Sequence, residues 1–584
     1  MVNKIGFSNF RRFAEFPEID FGDVTVLVGG NNSGKSTIVK ALLLCVDNLR
    51  LMRINDKRRG DGKFILPSLS NHKPIFRFDG NEFHDVKIKE FSRAIHNGFV
   101  DGVLPTEMTL KFALDHFHFT IVVSGNRDEN STIGDVERIT IEDTKADVSY
   151  TVDYKNDIIK YETASDLFKD VRSSLLKTYE SFCNLKKDFE ERKNESSLEH
   201  ITNMTASIDK IRALLTSAIS KLKDGDYDED KAFTDDELSE AIKEISSVKE
   251  YSQERASYDD IPYFMYVSDV AEPVVLNVIS NLIMMASLEL DAPEEKEGQD
   301  PAIYKKEMEE HKKISRASLA IEQDLSVIKE SYDDLSFLLN NLNINYISAH
   351  AANQNSLYNT ADKNDYIAQT VHEFWREKIE RGHREYDFIK KWMKVFEIGV
   401  DFEIKPLVPG EAYVVIVEEE SGAKVLLADK GMGSIQIMIL LLRIATILAK
   451  FNPNGIYSQV NKVLHPIIII EEPEQNLHPK MQSKLADLFH SLAKDWGCKF
   501  LIETHSEYLV RKSQVIVAEE NFANEEDLKE NNPFKVYYLP NDGFLPYEMK
   551  YMVSGRFENK FGEGFFDEAG KANLITLRKE KGLK

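Results

Sequence analysis

Gly29, Gly34, Lys35 and Ser36 stand at the spacing Gly-x-x-x-x-Gly-Lys-Ser, inside the stretch Val24 to Thr37. The chemistry open to such a set is phosphate binding. The loop carries Asn31, Asn32 and Ser33 between its glycines. Small residues and positive φ let a loop like this turn its backbone N–H groups around a phosphate. Lys35 is spaced to reach the β- and γ-phosphates, and the Ser36 hydroxyl to hold Mg2+. Thr37 follows at the same edge. An apolar run, Val24 to Val28, reads as a strand before the loop. Ile38 to Cys45 reads as a helix after it, whose N-terminal N–H groups face the same phosphates.

A second set of candidates lies in His465-Pro-Ile-Ile-Ile-Ile-Glu-Glu-Pro-Glu-Gln-Asn-Leu-His-Pro479. Four isoleucines in a row fit a strand buried on both faces, as in a parallel sheet. Glu471 and Glu472 stand at its end. A phosphate-binding protein needs a Mg2+-associated acid and a water-activating base there. The plainer alternative is that the paired acids cap the next helix, Lys480 to Asp495. Lys499 to Thr504 is a further strand, and His505 at its end is placed to contact a γ-phosphate. Gly431-Met-Gly433-Ser434 opens an apolar helix that runs to Lys450. Taken alone, that glycine pair is a turn signal.

The remaining pattern supplies the elements around these residues. Ile5 to Phe13 alternates like a strand and carries Arg11 and Arg12; Ile19 to Phe21 and the turn Gly22-Asp23 follow. Residues 105–162 are strand-rich and predict a meander. His116 and His118 fall on one face there, but no third ligand is in view, so an ordinary half-buried sheet face is expected. Residues 163–222 change to heptad spacing, with Ile201, Met204, Ile208, Ile211 and Leu215 in one arm. The pattern predicts an antiparallel helical hairpin or short coiled coil, each arm ~30–35 Å long. Acidic loops and further charged helical pattern extend this insertion to 342. A helix near 364–397 and strands at 401–405 and 413–417 return the chain to α/β pattern. The expected organisation is therefore 1–162, an insertion at 163–342, a second α/β segment at 343–520, and a small extension at 521–584.

Composition sets outer bounds. The chain has 584 residues, of which 42% are hydrophobic, enough for a sizeable core. Its net charge is −24, which disfavours binding an acidic polymer except through a local basic patch. Lys57 to Arg59 and the tail from Lys571 are the candidates for one. Cys45, Cys183 and Cys498 lie far apart, without metal-ligand spacing, and fit buried small hydrophobes in a reducing compartment. Met1 to Phe7 reads as a strand rather than a secretory signal. The apolar run Ile435 to Ala449 is too short to span a bilayer. A cytoplasmic protein is expected.

In this order, the motifs resemble those of ABC-class AAA family ATPases of the SMC, RecF and OLD type. The resemblance covers roughly 1–160 and 343–510. It implies an α/β fold in which a P-loop mixed sheet with helices forms an ABC-type head, split by a helical or coiled-coil insertion. It implies ATP and Mg2+ as cofactors. It also implies a head-to-head dimer in which Gly433 and Ser434 of the opposite chain cap the γ-phosphate. Lys35, Ser36 and Thr37 would hold phosphates and Mg2+, Glu471 would support the Mg2+ shell, Glu472 would polarise the attacking water, and His505 would sense the γ-phosphate. Arg11 or Arg12 would reach the nucleotide from the first strand. Three departures imply slow hydrolysis, with ATP serving as a dimerising clamp. Glu471 replaces a usual Asp, no Gln occurs between Thr37 and Gln253, and the signature lacks Ser-Gly-Gly.

The chain's end narrows the resemblance. Only 584 − 505 = 79 residues follow His505, too few for the Toprim nuclease domain of OLD nucleases. Instead, Phe534-Lys-Val-Tyr-Tyr538 and Gly564-Phe-Phe-Asp-Glu568 resemble the C-terminal piece of stand-alone PtuA-type ATPases of bacterial anti-phage systems of the Septu and retron kinds. That similarity implies a separately encoded effector such as an HNH nuclease, with DNA or a retron nucleic acid as a further partner and no membrane. A RecF- or SMC-like ATPase of DNA repair or chromosome maintenance is the competing reading. A transporter's nucleotide-binding subunit and a scaffold that binds ATP without turnover stand further off.

Overall fold

The computed structural model describes residues 2–51, 53–54, 63–64, 74–79, 88–127, 131–156, 158–163, most of 330–348, 357–361, 365–408, 410–451, 465–541, 544–562 and 565–580. The expected helical insertion lies outside the described residues, apart from its end, where those described within 330–341 are helical. Cys183 and Lys57 to Arg59 lie outside them too.

In chain order the strands are β1 (Val2–Phe10), β2 (Phe13–Asp20), β3 (Val24–Gly29), β4 (Arg53–Ile54), β5 (Lys63–Phe64), β6 (Ile75–Arg77), β7 (Glu107–Leu114), β8 (Phe117–Ser124), β9 (Ile133–Asp143), β10 (Val148–Asp153) and β11 (Ile158–Thr163). Beyond the insertion come β12 (Ile344–Ile347), β13 (Tyr358–Asn359), β14 (Asp401–Val408), β15 (Ala412–Glu418), β16 (Lys424–Leu426), β17 (Ile467–Glu471), β18 (Lys499–Thr504), β19 (Phe534–Leu539) and β20 (Tyr547–Glu548). The helices that matter below are α1 (Lys35–Leu51), α2 (Phe91–Ala94), α3 (Tyr366–Arg376), α4 (Arg384–Val395), α5 (Met432–Lys450), α6 (Pro479–Trp496) and α7 (Glu507–Glu519).

The chain divides into two compact units, and the boundary runs through the β1–β2 hairpin and through α1. The first unit comprises Met1–Gly6, Glu15–Leu42 and Asn341–Lys584. Its main sheet has the order β12-β17-β18-β3-β19-β20. Strands β12, β17, β18, β3 and β19 are parallel, and β20 closes the edge antiparallel. All four isoleucines of β17 are buried, and β3 is buried along its whole length. That matches the burial on both faces expected of a parallel strand. A smaller antiparallel sheet, β13-β15-β14 with β16 on β15, packs in the same unit. Helix α5 runs through its core, where Ile435, Met438, Leu441, Leu442 and Ala445 are fully buried.

Several local readings change. The expected helix near 364–397 is two helices, α3 and α4, parted at 377–383, where Lys378 and Gly382 take positive φ. The apolar run Ile435 to Ala449 lies within α5, the helix expected to open at Gly431-Met-Gly433-Ser434 and reach Lys450. Met432–Lys450 is long and apolar enough to cross a membrane by length and composition, yet most of it is buried inside the protein. Residues 534–539, expected in an extension beyond the head, form β19, which pairs with β3 along its length.

The second unit comprises Phe7–Ala14 and Leu43–Asn340. Its strands follow the order β11-β10-β9-β8-β7, the expected meander. Alternate residues of β7 and β8 face inward, and Phe112 stacks on its cross-strand partner Phe119 at 4.7 Å. Ile5 to Phe13 is not one strand, because the chain turns at Arg11 and Arg12 between β1 and β2, with Arg11 at φ 52°. His116 precedes β8 and sits beside Asp115 and Asp143, at 3.1 and 3.6 Å. It therefore does not share a strand face with His118. Among the described residues no group of three His, Cys, Asp or Glu is placed to hold a metal. Cys45 and Cys498 are free and buried; burial pushes the Cys498 thiol up to about 12.

Candidate nucleotide-binding site

Three neighbouring parallel strands end at one edge of the first unit's sheet. The loop Gly29 to Gly34 leaves β3, Glu471 and Glu472 lie at the end of β17, and His505 follows β18. In an open parallel sheet, groups at the carboxyl ends of adjacent strands face a common crevice. Here β18 lies between β17 and β3, so His505 and the end of its strand separate the acids from the loop.

The loop is closely packed and tightly turned. A Cβ on Gly29 would come within 2.5 Å of the Leu539 carbonyl oxygen and 2.6 Å of Ser33 Oγ. One on Gly30 would meet the Asn541 side chain. Close approach of backbone requires glycine at position 29, whereas at position 30 the contact is with the end of a flexible side chain. Asn32 takes φ 62° and Gly34 φ 105°, which turns the loop into α1. The first turn of α1 holds no acidic residue, so the positive end of the helix is left to an anion. Ser33 is 1% exposed, and its Oγ has no hydrogen-bond partner. Thr37 is buried too, its N–H donating to the Gly34 carbonyl at 2.9 Å.

Lys35 is also buried. Its ammonium donates to the Gly29 and Gly30 carbonyls, at 3.1 and 3.0 Å. Burial lowers its pKa, and Glu503, Glu472 and Glu474 oppose that shift. The net result is a cation held at the mouth of the loop by carbonyl dipoles and a ring of acids. An orphaned hydroxyl, an inward ammonium and a glycine cradle together fit a nucleotide's phosphates. Ser36 and the nearby carboxylates supply the oxygen donors that a Mg2+ ion requires.

Ser36 Oγ donates to Glu503 Oε1 at 2.9 Å. Glu503 lies in β18, directly across from Glu471 in β17. Burial pushes the Glu503 carboxyl up to about 7, helped by the negative Glu471, while the Ser36 hydrogen bond and Lys35 pull it down. Glu503 was not among the sequence candidates. A sequence signal exists, a lone acid directly after the apolar run Phe500-Leu-Ile502, though nothing local shows that it meets Ser36.

Glu472 takes φ 46°, rare for a residue with a side chain, and its N–H donates to the Glu503 carbonyl at 2.7 Å. The turn swings Glu472 away from the strand direction. Its Oε2 accepts from Gln475 Nε2 at 2.5 Å, and its Oε1 lies 4.0 Å from His505 Nε2. Glu474 fixes the other side of the histidine, because its Oε1 accepts the His505 backbone N–H at 2.6 Å. Burial raises the Glu474 pKa. Burial, then Lys35, lowers that of the His505 imidazole, with Glu472 opposing. Ser506 begins α7 by accepting the Leu509 N–H and ties it to α6 through a 2.7 Å bond to Gln482.

Lys35, Ser36, Glu471, Glu472 and His505 are thus gathered within one chain. Gly431 caps α5, and a Cβ on Gly433 would lie 2.7 Å from the Asn476 carbonyl oxygen. The start of α5, with Ser434, therefore packs on the turn after Glu472 rather than on the chain's own loop. Arg11 and Arg12 belong to the second unit. Arg11 N–H donates to the Ala94 carbonyl, burial and the nearby Arg93 lower its pKa, and Arg12 lies over the Phe13 ring.

No curated protein matches the chain. Among solved structures, it is similar to the Smc head domain with an extended coiled coil bound to the C-terminal domain of ScpA, from Pyrococcus furiosus. The identity is 10%, with 99% of each chain covered and a TM-score of 0.29. The Smc head domain with a coiled coil and joint from Pyrococcus yayanosii is 11% identical, covering 95% of this chain and 98% of that one, at a TM-score of 0.33. The SMC head domain from Thermotoga maritima is 9% identical, covering 94% and 99%, at 0.29. Scores this low add no weight to the site. The family model of the AAA ATPase domain matches residues 1–510. Spanning the loop, the paired acids and the histidine alike, that match shows that the chain belongs to the AAA ATPase domain family.

Proposed function

We propose that this protein binds and hydrolyses ATP with Mg2+, at the crevice formed by the ends of β3, β18 and β17. The observation that carries this reading is the convergence of Lys35, Ser36, Glu472 and His505 on a glycine-walled loop. Loop N–H groups, Lys35 and the start of α1 bind the phosphates. Ser36 holds the cation, with Glu471 beside it. Mg2+, when bound, neutralises phosphate charge and lets it spread in the transition state. Glu472 accepts a proton from the attacking water, its carboxylate held by Gln475. His505 orients that water or the γ-phosphate edge. Fixed charges of this kind supply most of phosphoryl-transfer catalysis.

The arrangement within one chain leaves the start of α5, with Gly433 and Ser434, available to a second copy's nucleotide. An ATP-dependent head-to-head dimer follows as part of the proposal. The biological role proposed is control of a separately encoded effector, an HNH-type nuclease, in bacterial anti-phage defence. The order of motifs and the resemblance of Phe534 to Tyr538 and Gly564 to Glu568 to the C-terminal piece of stand-alone ATPases support it. A role in DNA repair or chromosome maintenance fits the family match equally well.

The test is the native mass of the Glu472→Gln protein with ATP, made together with the products of its neighbouring genes. A nuclease that co-purifies, and is held or released according to nucleotide, supports the defence role. A bare homodimer whose ATPase rises with DNA overturns it in favour of repair.

A further inference from the structure

We propose that the Glu503 carboxylate is a ligand of the divalent cation at this site, joining Ser36 directly. The proposal rests on the nucleotide-site reading and deepens it.

Glu503 is 5% exposed. One carboxylate oxygen accepts the Ser36 hydroxyl at 2.9 Å; the other, Oε2, has no hydrogen-bond partner. A buried acceptor left unmatched costs about 1–3 kcal/mol, and more when it carries charge. Something positive is therefore missing from its surroundings. Lys35 is the nearest candidate, but its ammonium is taken up by the Gly29 and Gly30 carbonyls. On the other side stands Glu471, the register partner on β17. Side chains of register partners on adjacent parallel strands point to the same face, with backbones about 4.8 Å apart. Two carboxylates held this way repel each other unless a cation lies near both.

The distances suit a small hard ion. Adjacent ligands of an octahedral Mg2+, each about 2.1 Å from the metal, lie about 3 Å apart. The Ser36 Oγ to Glu503 Oε1 separation of 2.9 Å already has that length. The two oxygens can bind one ion without either side chain moving. Among the described residues no three His, Cys, Asp or Glu side chains are placed to hold a metal by themselves. The remaining ligands must then come from phosphate and water, the usual pattern for Mg2+. Cation binding at this site should accordingly be strong only with nucleotide present.

The experiment uses the full chain and Mn2+ as the probe. Mn2+ held on the protein is separated from Mn–ATP in solution by equilibrium dialysis with the same ATP concentration on both sides, and the total Mn2+ on each side is read by electron paramagnetic resonance after acid release. Metal-free ATP binding is measured in parallel by equilibrium dialysis in EDTA. Glu503→Gln is expected to weaken Mn2+ binding about 10- to 100-fold, the range for disturbing a metal's ligand set. It should leave metal-free ATP binding unchanged or tighter, since a negative charge near the phosphates is gone. Glu503→Asp should fall between, and carries the test if the glutamine variant does not fold. Mn2+ affinity within about threefold of the parent in a folded variant overturns the proposal; so does an equal loss of metal-free ATP binding, which would mark a collapsed loop. If the parent protein binds neither ATP nor Mn2+ with ATP, the nucleotide-site reading itself fails, an outcome distinct from a loss confined to the variants.

Discussion

Glu472 Oε1 and His505 Nε2 lie 4.0 Å apart across the ends of β17 and β18. Neither residue reaches this position by default. Glu472 is turned into the left-handed region at φ 46°, a conformation that costs about 1 kcal/mol for a residue with a Cβ. Strain of this kind gathers at functional sites. The two groups are placed to share a water between them.

Glu472→Gln should therefore separate binding from chemistry. The amide keeps the shape and the Gln475 neighbour but cannot take a proton. ATP affinity should change less than threefold, whereas single-turnover hydrolysis should fall by roughly 100- to 10,000-fold, the share of a general base. His505→Ala should cost less, on the order of 10- to 100-fold, because positioning is lost while the base remains. Equal hydrolysis rates for parent and Glu472→Gln would remove Glu472 from the mechanism.

Glu503 makes the stability of the nucleotide-free protein depend on pH. Its folded pKa is raised from 4.5 to about 7. A raised pKa means the folded state keeps a proton that the unfolded chain releases. The stabilisation is thus complete below about pH 4.5 and is lost as pH rises through about 7. Each pKa unit is worth about 1.4 kcal/mol, so the span is at most about 3.5 kcal/mol. Urea melts of the nucleotide-free protein between these limits should show this slope, and Glu503→Gln should flatten it. An identical slope in both proteins would show that another group titrates.

Gly29→Ala should damage the loop without removing any polar group. The added methyl would sit 2.5 Å from the Leu539 carbonyl, and neither strand β3 nor β19 can retreat from the sheet. A loss of about 1–3 kcal/mol is expected, as for overpacking elsewhere in protein cores. Thermal melting against Gly431→Ala, where a Cβ meets nothing within 4 Å, is the control.

A chain ending at Glu520 should not fold as an ATPase. It would remove β19, which pairs with β3 from Phe534 to Leu539 and so covers one side of the strand that carries the loop. It would also remove Tyr551, whose buried hydroxyl bonds Ser513 in α7 at 2.7 Å. Circular dichroism and ATP binding of the truncated protein check this. Tyr551→Phe, by contrast, should fold and lose only about 1–2 kcal/mol, the worth of one buried hydrogen bond.

Some of this was legible along the chain, because its causes are local. Gly29 to Thr37 are contiguous, and glycine spacing, strand and helix pattern lie within one short window. The four isoleucines before Glu471 likewise announce a strand buried on both faces. The turn at Arg11 and Arg12 was not legible, since apolar alternation continues through it and only a left-handed backbone at Arg11 breaks it. The role of Glu503 was also hidden: it meets Ser36 across 467 residues of chain. Nor does any local pattern put β19 beside β3, with 505 residues separating Gly29 from Phe534. Parallel strands are paired by long crossovers, and register across them follows from how the whole sheet and its helices pack. The sequence alone determined which groups could bind phosphate; the tertiary structure decided which acids stand around them, because only the assembled sheet brings the ends of β3, β17 and β18 to one edge.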